Sequence, residues 1–121
     1  MRTVSRFAPP LILMAVIFAL SAQPGLDSGL AWDKVLRKAA HMTEFGLLWL
    51  LWWRALGCGS RLVPAVIAVA YAVTDEIHQT FVEDRVGSPV DVLIDTAGVL
   101  LAMLAVRGVQ VRRQRSDSVA A

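Results

Sequence analysis

Eight ionisable or hydrogen-bonding side chains are spaced so that they could act together: His41 with Glu44, then Tyr71, Asp75, His78 and Gln79, then Asp91 with Asp95. On a helix, residues three or four apart share a face, and Tyr71, Asp75, His78 and Gln79 fall within about 100° of one another. Glu76 lies off that face and is expected to point toward a neighbouring helix or lipid headgroups. Histidines and carboxylates gathered in a partly desolvated place can exchange protons, grip a polar headgroup or hold a cation. His41, His78 and nearby carboxylates could supply metal ligands, but the sequence has no HExxH, no paired-histidine helix and no CxxC, so neither a metal nor a cofactor is expected. GxSxG, Walker and glycine-fingerprint motifs are missing as well. Cys58 stands alone and is a bystander.

Each of these residues also has a plainer reading. Asp91 is the fourth residue of a Ser88-Pro-Val-Asp91 capping box, so it could simply start a helix. Asp75 and His78 could pair with Lys38 or Arg37 and glue helices together. For His41 and Glu44 the functional reading is favoured, because two ionisable groups one turn apart are costly inside a bilayer. Glu83, Asp84 and Arg85 read as a solvated turn. Trp49, Trp52 and Trp53 read as an aromatic belt at a membrane interface.

The elements that must carry these groups are apolar. Of 121 residues, 56% are hydrophobic and the mean hydropathy is +0.57, above the roughly 45 to 50% usual in soluble domains. Four apolar stretches, 7–22, 39–53, 62–73 and 90–106, are separated by Gln23-Pro24-Gly25, Gly57-Cys58-Gly59-Ser60 and Ser88-Pro89. A bilayer core takes about 20 helical residues, a length the second and third stretches reach only if their polar ends are included. The expected fold is an all-α integral membrane four-helix bundle over 1–110, with short loops and antiparallel neighbours, followed by a polar, disordered tail at 111–121. The first stretch, behind Arg2 and Arg6, also has the make-up of a secretory signal, but the later stretches are equally apolar and it reads as one span among four.

Net charge is +2, yet the twelve Lys and Arg residues flank apolar stretches rather than forming a nucleic-acid patch. Eight of them (Arg2, Arg6, Arg54, Arg61, Arg107, Arg112, Arg113, Arg115) fall on one side and four (Lys34, Arg37, Lys38, Arg85) on the other, which places both termini in the cytoplasm. The polar residues, with Ser21 and Gln23 among them, then collect near the outer face. Gly98 and Ala102 continue the face of Asp91 and Asp95 and should let a neighbouring backbone come close, with Val99 turned to lipid.

In order along the chain, Phe18-Ala-Leu-Ser-Ala-Gln-Pro24, Lys38-Ala-Ala-His-Met-Thr-Glu-Phe-Gly46, Tyr71-Ala-Val-Thr-Asp-Glu-Ile-His-Gln79, then Arg85, Asp91, Asp95 and Gly98 resemble the VanZ-like family of small bacterial membrane proteins. The third segment is the most specific. Two departures stand out: Phe45 where the family often has tyrosine, and Glu83-Asp84 in place of a more usual Pro-Gly before the arginine. The resemblance implies association with the cell envelope and, for the family's namesake, low-level resistance to the glycopeptide teicoplanin; it supplies no reaction. The expected site is a cluster of His41, Glu44, Asp75, His78, Gln79 and Asp95, with Lys38, Tyr71, Glu76, Arg85 and Asp91 as binding residues. The expected partners are membrane lipids or lipid-linked envelope precursors. A non-enzymatic envelope protein is the first reading and a membrane-embedded enzyme acting on such a precursor is the second. Proton-coupled transport is disfavoured, because no pair of interrupted helices and no repeat is present.

Overall fold

The structure is a computed structural model that describes residues 2–22, 31–82 and 87–121. The described residues form four helices and no strand: α1 (Arg2–Ser21), α2 (Ala31–Ala55), α3 (Leu62–Gln79) and α4 (Pro89–Ala120). The breaks after α2 and before α4 fall where the turn residues predict, for local reasons, while Gln23-Pro24-Gly25 lies outside the described residues. α2 stops in a Schellman arrangement: Gly57, at φ +85°, donates its N–H to the Arg54 carbonyl, and Cys58 donates to the Trp53 carbonyl. α3 accommodates Pro64 in its first turn, where no intrahelical donor is lost. Ser88 caps α4, its Oγ accepting the Val90 N–H at 3.2 Å, with Pro89 at the first helical position.

The helices run up and down, as their end-to-end contacts show. At one end Phe7 of α1 meets Trp52 of α2, and the Trp49 Nε1–H donates to the Arg61 carbonyl at 3.1 Å, while Arg61 in turn bonds Gln110 of α4. At the other end Phe18 of α1 meets His78 of α3, His41 of α2 meets Asp95 of α4, and Glu76 of α3 meets Ser88. α2 is the central helix: it packs on all three others, most closely on α4, and α1 does not contact α4.

The tightest point is where Gly98 of α4 meets the α2 backbone at Met42 and Gly46. A Cβ on Gly98 would lie 2.2 Å from the Met42 carbonyl oxygen, and one on Gly46 would lie 3.0 Å from the Gly98 oxygen, so the two backbones touch. This is the close approach expected from Gly98 and Ala102. Val99, expected toward lipid, is instead 2% exposed, and the outward residues are Leu100 and Leu101. The core comprises Ile17, Phe45, Leu48, Trp49, Ala68, Ala72 and Val99. The small residues Ala68 and Ala72 on α3 make room for Phe45 and Trp49. Trp49 is therefore a core residue rather than part of a belt; Trp52 and Trp53 pack half-buried beside it.

One further expectation needs correction, and another is met only in part. The tail at 111–121, expected to lose order, continues α4 as an exposed helix to Ala120; its residues do not interrupt helical hydrogen bonding, and no proline or glycine follows Gly108. By length and composition two helices rather than four are apolar enough to cross a membrane, α1 and α4, and only 11% and 17% of their apolar windows are buried. Polar residues at the ends of α2 and α3 keep those helices from meeting the same test. Even so, both expose large apolar side chains, including Trp32, Val35, Leu36, Leu47, Val63, Val66 and Ile77, while Asp75, Glu76, Gln79 and Asp95 are buried. Apolar outside and polar inside is the pattern of a chain surrounded by lipid.

Candidate functional site

The site is built where α2, α3 and α4 meet at the end opposite Arg61. His41, in the second half of the turns that lead α2 toward its Gly46 crossing, places Nδ1 3.4 Å from Asp95 Oδ1 on α4. The Asp95 side chain is 1% exposed and that of His41 16%. The crossing fixes this pairing, because Met42 beside His41 abuts Gly98, one turn from Asp95. The pair is close enough for an ion pair, yet its geometry closes no hydrogen bond, and neither Asp95 oxygen has a partner.

Asp75 enters from α3. It is 2% exposed, and Gln79, one turn on, donates its Nε2–H to Oδ2 at 2.9 Å, leaving Oδ1 without a partner. Glu44 sits half-buried one turn beyond His41, within electrostatic reach of His41, Asp75 and Asp95. Five of the six residues expected to cluster, His41, Glu44, Asp75, Gln79 and Asp95, are thus gathered by three helices. His78 is not among them: its ring stacks on Phe18 of α1, centroids 4.1 Å apart at 22°.

The residues expected to assist binding have divergent positions. Tyr71 turns to α1 and donates its hydroxyl to the Met14 carbonyl, so it ties the first helix on rather than reaching the carboxylates. Lys38 is exposed and makes no ion pair with a described carboxylate, which removes it as glue for Asp75. Glu76 is 6% exposed and accepts the Ser88 N–H at 2.9 Å. In a capping box that bond would go to the side chain of Asp91; here the carboxylate of another helix takes the role, and Asp91 is left half-buried, near Glu76 and Asp95. Arg85 and Gln23, with Glu83 and Asp84, lie outside the described residues.

Phe45 is the residue whose part was hardest to foresee. Fully buried, it lies between His41 and Tyr71, 6.3 Å from each ring. A phenyl ring needs no hydrogen-bond partner there, whereas a tyrosine hydroxyl would. Met14 and Phe18, the α1 contacts of Tyr71 and His78, gave no signal in the sequence because a backbone carbonyl and an apolar span residue look like any other.

Chemically the cluster has a surplus of acceptors. Both oxygens of Asp95 and one of Asp75 are buried without a donor, and His41 Nδ1 is likewise without a hydrogen-bond partner, a costly state in low dielectric. A ligand bringing hydroxyl, ammonium or water donors would relieve it. The same His–carboxylate contact is a geometry through which a proton can move. Among the described residues no three His, Cys, Asp or Glu side chains converge closely enough to hold a metal ion.

A family described as VanZ/LLP1 matches residues 3–110 of the chain. No curated protein and no solved structure matches.

Proposed function

The chain belongs to the VanZ/LLP1 family, and from that premise we propose that it is a cell-envelope membrane protein of four spans with cytoplasmic termini, binding an envelope lipid or partner in an outward-facing polar pocket. The single observation that carries the reading is the cluster of half-buried His41 with buried, donor-poor Asp75 and Asp95 at one end of a bundle whose outer surface exposes many apolar side chains. The eight-to-four division of positive charges supports the orientation. Apolar residues exposed on α2 and α3 support the two additional spans. Occupying such a pocket would alter access of glycopeptides such as teicoplanin to the cell surface, without any reaction.

A second reading is favoured by the His41–Asp95 contact: a membrane-embedded enzyme that uses the pair for acid–base chemistry on a lipid-linked envelope precursor. A lipidomic comparison of cells with and without the gene separates the two, since an enzyme makes one lipid class accumulate and a binder does not. The site itself is tested by Glu44→Gln, Asp75→Asn and Asp95→Asn. These keep shape and remove charge, so they should abolish whatever phenotype the gene confers while membrane abundance stays at or above the parent level. Activity lost only in proportion to protein lost would refute the site.

A further inference from the structure

A second place in the bundle holds a carboxylate in want of a partner. Between the C-terminal end of α3 and the N-terminal end of α4 lies a crevice of about 400 Å³ lined by Val73, Glu76, Ile77, Gly87, Ser88 and Val92, among others. Its walls are mostly apolar, with Glu76, Thr80 and Ser88 as the polar residues. One oxygen of Glu76 is occupied by the Ser88 N–H, and the other, Oε1, is buried with no donor. No ion pair with Lys, Arg or His of the described residues neutralises it, and the other charged groups in its electrostatic reach are Asp75, Asp91 and Asp95, all acidic. Among the described residues Glu76 has no cationic partner and His41 faces only Asp95, so the excess of carboxylate here favours a cationic ligand and disfavours an anionic one.

The crevice also has a fixed shape. A Cβ at Gly87 would lie 2.6 Å from both the Glu76 carbonyl and Thr80 Cγ2, so the chain entering α4 is pressed against α3 beside Glu76. The open wall is Ile77, 57% exposed on the apolar surface of the bundle. What reaches Glu76 from that side comes out of the lipid.

We propose that this crevice binds the primary ammonium headgroup of a membrane phospholipid, with Glu76 as its counter-ion and Val73, Ile77 and Val92 against the adjoining glycerol and acyl region. The inference rests on the membrane reading proposed above, but on a different carboxylate from the His41–Asp95 cluster. A primary ammonium supplies N–H donors that Oε1 lacks, whereas a quaternary choline carries the same charge and none of the donors. Selection of the first over the second is therefore the signature.

The test is native mass spectrometry of the full chain in detergent, titrated with phosphatidylethanolamine, with phosphatidylcholine of the same acyl chains, and with phosphatidylglycerol. Phosphatidylethanolamine should be retained about tenfold better than phosphatidylcholine, the scale of one charge-assisted hydrogen bond, and phosphatidylglycerol least. Glu76→Gln, whose amide oxygen still accepts the Ser88 N–H, should erase the preference, and Asp95→Asn, which removes a neighbouring charge but no acceptor at the ammonium, should reduce it less. Val92→Trp fills the crevice without touching the carboxylate and should erase it too, so that a Glu76 variant that failed to fold would leave the question decidable. Equal retention of the two zwitterionic lipids, or a preference that survives Val92→Trp, overturns the proposal. Loss of the preference in Asp95→Asn alone would move the headgroup to the His41 cluster, sinking this inference while upholding the other. Displacement by free ethanolamine at the same concentration as the lipid would show a soluble-amine site and overturn the assignment to phospholipid.

Discussion

Alanine substitutions at three glycines make a graded test of the α2–α4 crossing. Within a helix, Gly→Ala on its own favours folding by about 1 kcal/mol. At Gly108, where nothing lies within 4 Å of the added Cβ, that gain should appear undiminished. At Gly46 the Cβ meets the Gly98 oxygen at 3.0 Å and Ala102 Cβ at 3.4 Å, a tight contact that should cancel most of it. At Gly98 the Cβ would sit 2.2 Å from the Met42 oxygen and 2.8 Å from the Met42 C and Cα atoms. Non-bonded heavy atoms settle near 3.5 Å, so the two backbones must part by roughly 1 Å. Overpacking of this kind costs about 1 to 3 kcal/mol, and both clashing partners here are backbone, which places Gly98→Ala at the upper end and leaves a net loss of about 1 to 2 kcal/mol. The displacement also draws His41 from Asp95, whose contact is already 3.4 Å. Reversible denaturation in mixed micelles, followed by circular dichroism, should rank stability as Gly108→Ala above parent, Gly46→Ala near parent and Gly98→Ala below. Equal stability of the Gly98 and Gly108 variants would refute the crossing.

Tyr71→Phe removes the donor to the Met14 carbonyl and should cost about 0.5 to 1.5 kcal/mol in the same assay, with α1 the first helix to exchange its amides. No loss would mean that α1 is held by Ile17 and its neighbours alone. Val99→Ala, at a position 2% exposed, should lower membrane abundance, while Leu100→Ala, 54% exposed, should not; the opposite order would mean that α4 is rotated. Reporters fused within Gly57 to Ser60 and after Ala121 should be active only in the cytoplasm, and a reporter after Ala22 only outside. Activity of the loop fusion outside would reverse the proposed orientation.

Helix number and the breaks at Gly57 and Ser88 were legible in the residues themselves, because a turn glycine and a Ser-Pro cap act on their own backbone and need no partner. So was the gathering of polar groups at one end, since charges at matched depth on apolar helices have few places to go. Which face of each helix is buried was not legible. In a helix apolar all round, periodicity carries little information about the inside, so Val99 and Leu100 look alike in sequence and differ only once α2 crosses at Gly98. Partners were equally hidden. Glu76 replaces Asp91 as the brace on Ser88, Tyr71 bonds a carbonyl of α1, and His78 stacks on Phe18, each settled by which helices the crossing brings within reach. Local chemistry determined the elements, and the contact of Gly98 with the α2 backbone at Met42 and Gly46 decided which side chains share a site.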